Sequence, residues 1–122
     1  MDVVREALNI LKLVLQARAP YDTGNLALNS IRIVGNAVYI GGEIADYAIF
    51  TNEPWISRNG KSNPNEGWVE KAIEEAVPII QRVLSGKATE KDIQQSQKMY
   101  KGIISDRKKR MVENLKQLRE AI

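Results

Sequence analysis

Residues 29–42 read NSIRIVGNAVYIGG. Two short β-rich runs stand on either side of Gly35-Asn36. Both residue types accept the positive φ that two-residue hairpin turns demand, so the spacing predicts a hairpin with a primed turn. Alternation places Ile31, Ile33, Ala37, Tyr39 and Gly41 in one set, and Arg32, Val34, Val38 and Ile40 in the other. A hairpin has two free edges, open to further strands or to strand addition by a partner. The next apolar run, DYAIFTN at 46–52, is the nearest candidate, but it is too short for periodicity to separate a strand from a helical turn.

Helical patterns flank this centre. Over residues 3–18, Arg5, Asn9, Lys12 and Gln16 form a polar stripe. Val4, Leu8, Leu11 and Leu15 form an apolar one, widened by Ile10, Val14 and Ala17. Asp2 is placed to cap the start, and Pro20 disfavours helical geometry at Ala19, so the helix stops there. From Glu66 to Leu84 the helical period returns through Val69, Ala72, Ile73, Ala76, Ile80, Val83 and Leu84. Pro78 is expected to kink or divide that helix, and Ser85-Gly86 to end it. A last helix begins at Thr89, where Thr89 and Asp92 have the spacing of a capping box with Asp in place of Glu. Its apolar stripe is sparse: Ile93, Tyr100, Ile103, Ile104, Met111, Leu115, Leu118 and Ile122. Gly102 is a weak point within it. Between hairpin and second helix, residues 53–67, EPWISRNGKSNPNEG, have no apolar period and read as a long loop of the kind that is often functional.

The chain has 122 residues, 43% hydrophobic and 27% charged, which fits one globular domain. No apolar run reaches the roughly 18 residues of a membrane span, and the N-terminus has no signal-peptide pattern. Cysteine and histidine are both absent. Thiol chemistry, zinc sites of Cys and His, and Ser-His-Asp or Cys-His catalysis are therefore excluded by composition. Charge is uneven. Residues 1–84 carry 8 basic and 10 acidic side chains, and residues 85–122 carry 10 and 5. The basic end is thus a distinct physical object.

Asp22-Thr23-Gly24 spells the aspartic-protease triplet. In those enzymes it follows an apolar strand in a nearly all-β fold, and two copies share one proton. Here it follows a helix and Ala-Pro-Tyr, in a chain much of which is helical. The reading is a turn: Asp22 and Thr23 accept local backbone hydrogen bonds and Gly24 supplies the φ. Glu66, Glu70 and Glu74, four apart, read as a solvated face near a helix N-terminus, where negative charge is favourable. Trp68 reads as a core anchor. Trp55, Ile56, Arg58 and Lys61 lie in the long loop and make a candidate protein interface, because Trp is enriched at binding hot spots. Arg58 and Lys61 are also placed to meet phosphate. Arg107, Lys108, Lys109 and Arg110 are the densest charge run. They are a candidate non-specific nucleic-acid contact, although they fan around the helix and have no aromatic residue among them for base stacking.

Taken in order, APYDTGNLALNSI, the hairpin, YAIFTNEP, the Gly/Asn/Pro loop and GWVEKAIEEA resemble a known family. This is the minor-capsid, tail-completion or neck proteins at the head–tail junction of long-tailed bacteriophages and prophages. The matching positions are Pro20, Asp22, Thr23, Gly24 and Leu26, with Ser30 one place late, then Tyr47, Ala48 and Glu53, then Trp68. The chain departs from the family after Tyr-Ala, where Asn52-Glu53-Pro54-Trp55 replaces the usual Glu-aromatic-Gly. The resemblance covers residues 3 to about 84 and says nothing of the basic segment beyond.

The resemblance implies a structural virion protein with no enzymatic activity and no cofactor. It implies ring-type self-association and contacts to portal or adaptor proteins and to tail proteins, at the head–tail junction after assembly from the host cytoplasm. The alternative is a non-specific DNA-binding protein using the C-terminal basic helix. The expected fold is α+β: an antiparallel sheet of three to four strands packed by the N-terminal helix and a helix at about 66–84, plus a C-terminal helix. Residues 1–86 form the connector-like domain and residues 87–122 a basic helical extension of it.

Overall fold

The computed structural model describes residues 2–20, 30–41 and 51–121. They form three helices, α1 (Val3–Arg18), α2 (Trp68–Leu84) and α3 (Glu90–Ala121), and two strands, β1 (Ile31–Val34) and β2 (Ala37–Ile40).

The ends of α1 follow local chemistry. The Arg5 amide donates to Asp2 Oδ1 at 3.1 Å, and Ala19, before Pro20, is extended with ψ 147°. The buried face of α1 is Ala7, Ile10, Val14, Leu15 and Ala17. That face is rotated from the apolar stripe expected from sequence, for Val4 is 45% exposed and Leu8 and Leu11 are half-buried. The reason is that α1 is central, with α2, α3 and the hairpin all packed on it. A helix covered from several sides buries the line between its neighbours, where Ala7 and Ala17 permit close approach.

The strands pair antiparallel with Ile31 opposite Ile40 and Ile33 opposite Val38. Gly35 has φ 61°, while Asn36 has negative φ, the sign pattern of a type II′ turn. The two-residue turn swaps parity, so Ile31 and Ile33 share a face with Val38 and Ile40. The alternating sets expected from sequence ran straight through the turn and mixed the faces. The four aliphatic side chains point inward, Ile31 fully buried, while Val34 and Tyr39 are about half exposed. Arg32 Nη1 donates to the Gly41 carbonyl at 2.8 Å on the outer side.

The expected sheet of three to four strands is not found. The described residues hold one two-stranded sheet and a single isolated bridge, Ile56 to Ser62. A lone hairpin is marginal in water. This one is held by laying its apolar face on α1. Of the run at 46–52, only Thr51 and Asn52 fall within the described residues, and both are helical.

Helix α2 runs unbroken through Pro78, and α3 through Gly102. At the end of α2, Gly86 takes φ 76° and the Lys87 and Ala88 amides return to the Arg82 carbonyl. The capping box of α3 is formed: Thr89 N donates to Asp92 Oδ2 at 3.0 Å, and Asp92 N to Thr89 Oγ1 at 3.1 Å. These bonds hold the Asp92 carboxyl below its ordinary range, the Thr89 amide contributing most and Arg82 adding a smaller share.

Two contacts fix the direction of α3 against α1. Gln97 donates to Glu6 near the start of α1, and the Arg107 guanidinium donates to the Ala17 and Ala19 carbonyls at its end. The two helices therefore run parallel. Arg18 meets Glu75, and Val83 faces Ile93 across a shared cleft, so α2 runs the opposite way.

Candidate functional site

Three features are candidates for function: the 53–67 segment, the junction where the helices meet, and the far end of α3.

The 53–67 segment is more ordered than its composition suggests. Ser57 N donates to Lys61 O at 2.8 Å and Asn63 N to Trp55 O at 3.0 Å, which closes a small hairpin. Asn63, 5% exposed, organises its base. Its Nδ2 donates to the carbonyls of Thr51 and Glu53, and its Oδ1 accepts from Asn65 N. Asn52 then caps α2 from a distance. Its Oδ1 accepts from Val69 N at 2.9 Å, and its carbonyl accepts from Gly67 N. This replaces the side-chain cap that Gly67 lacks. Trp68 is buried and donates through Nε1 to Thr51 Oγ1 at 3.1 Å. Of the four interface candidates, Trp55 is half-buried at the base of the hairpin. Ile56, Arg58 and Lys61 are exposed, Ile56 at 76%.

At the helix junction, Arg18 of α1 pairs with Glu75 of α2 at 3.1 Å, and the Tyr100 hydroxyl of α3 donates to the same carboxylate. Tyr100 is 2% exposed. Burial, and then the Glu75 carboxylate, push its phenol up to about 12. A phenol kept neutral beside a carboxylate serves as a hydrogen-bond donor, and this one joins three helices.

Helix α3 runs on past this junction, with Ile103 and Ile104 half-buried against the core. Its only fully buried residues are Ile93 and Tyr100. Arg107 is engaged with the last carbonyls of α1, where a cation is favourable. After it residues 108–121, all exposed but Met111, continue for about 21 Å at the usual helical rise. On that arm Val112, Leu115 and Leu118 are each more than half exposed, and Lys108, Lys109 and Arg110 are exposed as well. The basic run is therefore divided. Arg107 has a structural post, and the other three face solvent. The Asp22-Thr23-Gly24 motif lies outside the described residues.

Sequence reasoning missed Asn52 and Asn63, because an asparagine in a polar loop gives no sign of which distant amide or carbonyl it will meet. It also counted Ile73 and Leu84 in the same apolar period as Ala72, Ala76 and Val83, whereas they are 41% and 50% exposed. The signal was present: the apolar arc of α2 is wider than one face needs.

Among the described residues no cluster of three or more metal-ligating side chains exists, and no helix is long and apolar enough to cross a membrane. The cleft between α2 and α3, about 180 Å³, is lined by Pro78, Ile79, Val83, Ala88 and Ile93, with the Arg82–Asp92 pair at its rim. What the geometry defines is a small α+β domain whose exposed apolar features sit on helix faces and a hairpin tip. Compared with protein-family models, with curated proteins and with solved structures, the chain matches none.

Proposed function

We propose that this chain is a structural subunit of a phage or prophage head–tail junction. It acts by self-association and by contacts to portal-side and tail-side proteins, without catalysis or cofactor. The observation that carries the assembly role is the α3 arm, which exposes Val112, Leu115 and Leu118 beyond the last residue that α1 covers. Exposed aliphatic side chains in a row on a projecting helix cost solubility unless a partner covers them. The exposed tip at Ile56 offers a second contact point. The particular assembly rests on the sequence resemblance, residues 3 to about 84. Deleting the gene from its phage or prophage should leave filled heads and separate tails in electron micrographs, with joining restored by the gene in trans. Normal virions from the deletion overturn the proposal.

A second reading, non-specific binding to packaged DNA, is favoured by the exposure of Lys108, Lys109 and Arg110. It predicts tight binding to random duplex that falls steeply with salt. Weak binding at low salt, unchanged when those three residues are replaced by alanine, removes it.

A further inference from the structure

The α3 arm and the outer face of α2 match each other. On α2, Ile73, Val77, Ile80 and Leu84 are spaced by four, three and four, and form a second apolar stripe beside the core face. Ile73, Val77 and Leu84 are exposed and Ile80 is half-buried. The outer edge of that stripe carries Glu70 and Glu74, both exposed, while Lys71 and Arg82 lie on the opposite side of the helix. On the arm, Met111, Leu115 and Leu118 are spaced by four and three, the same seam pattern. The stripe is flanked by Lys108 and Arg119, and residues 107–121 hold six basic side chains against two acidic.

We infer that the α3 arm of one copy lies along the α2 outer stripe of the next copy, apolar seam on apolar seam, with one basic end of the arm facing Glu70 and Glu74 at the N-terminal end of the stripe. The occupant is a second copy of this chain. An arm cannot reach its own stripe. It runs parallel to α1 and antiparallel to α2, so it leaves past the N-terminal end of α2 while the stripe runs back from Ile73 to Leu84. Two arms side by side are disfavoured, because each brings its excess of positive charge and the seam would hold Lys108 against Lys108. The stripe spans about 16 Å and the arm about 21 Å, so the arm covers it in one pass. Because arm and stripe are different surfaces, the contact is head-to-tail. Such contacts propagate and close into a ring when the rotation per copy permits.

This inference deepens the self-association proposed above and rests on it, but it is tested separately. The chain has no cysteine, so introduced ones report alone. Val77→Cys and Leu115→Cys both fall on exposed positions, and circular dichroism checks that each variant folds. Mixed at high concentration under mild oxidation, the two variants should give a disulfide-linked dimer that neither gives by itself. Glu74→Lys in the Val77→Cys chain should abolish the product, Glu70 being left in place because it accepts from Asn52 Nδ2 at 3.1 Å. Lys108→Glu with Arg119→Glu in the Leu115→Cys chain should then restore it. Self-linking of Leu115→Cys at equal yield means that arms pair with arms, and overturns the inference. So does the absence of a mixed product. Loss of the mixed product beside unjoined heads and tails in the gene deletion removes the contact alone. A mixed product beside normal virions removes the junction role alone.

Discussion

Tyr100→Phe removes one oxygen atom from the place where the three helices meet. The ring stays, so the packing of a residue that is 2% exposed is kept. What is lost is a hydrogen bond to the Glu75 carboxylate, which also holds Arg18. A hydrogen bond to a charged acceptor contributes about 1.5–3 kcal/mol. The Glu75 side chain is 35% exposed and can recruit water in its place, so the expected loss falls at or below the bottom of that range, about 1–1.5 kcal/mol. For a domain of this size that lowers Tm by about 3–6 °C. Urea unfolding of wild type, Tyr100→Phe, Glu75→Gln and the double variant should give a coupling energy of about 1 kcal/mol. The same site sets an alkaline limit. The phenol is raised from 10.0 to about 12 in the folded chain, so its contribution is whole below pH 10 and fades as pH rises towards 12. Two pH units correspond to about 3 kcal/mol. Tyr100→Phe should lack that part of the alkaline loss. Coupling indistinguishable from zero, with the same alkaline profile in both proteins, refutes the three-helix junction.

Asn63→Ala should cost about 1–3 kcal/mol, because the Thr51 and Glu53 carbonyls and the Asn65 amide lose their partner. Hydrogen exchange should rise across 55–63 more than in α1. Arg107→Ala should lower stability by about 1–2 kcal/mol, since the carbonyls of Ala17 and Ala19 lose a charged donor. The Lys108→Ala, Lys109→Ala, Arg110→Ala triple variant should leave the urea midpoint nearly unchanged, and equal losses in the two would argue against the divided basic run. The Asp92 carboxyl, held down chiefly by the Thr89 amide, contributes stability above its ordinary 3.8 that is lost as pH falls through its lower folded value. An NMR titration should place its midpoint below 3.8, and Thr89→Ala, which removes only the hydroxyl's share, should move it part of the way back.

Features decided by near neighbours in the chain were legible in the sequence. Asp2, Pro20, Gly35, Gly86 and the Thr89–Asp92 box act on backbone groups within a few residues, so the type of each residue is enough to place it. The helices at 3–18 and 68–84 and the hairpin at 31–40 follow from that and from periodicity. Residues whose role depends on what comes near in space were not legible. Pattern alone cannot tell a hairpin that lies on a helix from one that continues into a wider sheet, because both need one apolar face. It cannot tell which side of α1 is buried either, since α1 carries apolar residues around more than half its girth. Asn52, Asn63 and Arg107 became structural only when folding brought the α2 amides, the loop carbonyls and the end of α1 to them. The parallel run of α1 and α3 ends at Arg107 because α1 ends at Arg18, just ahead of Pro20. That difference in length, invisible in either segment alone, leaves the basic arm and its leucines standing clear of the domain.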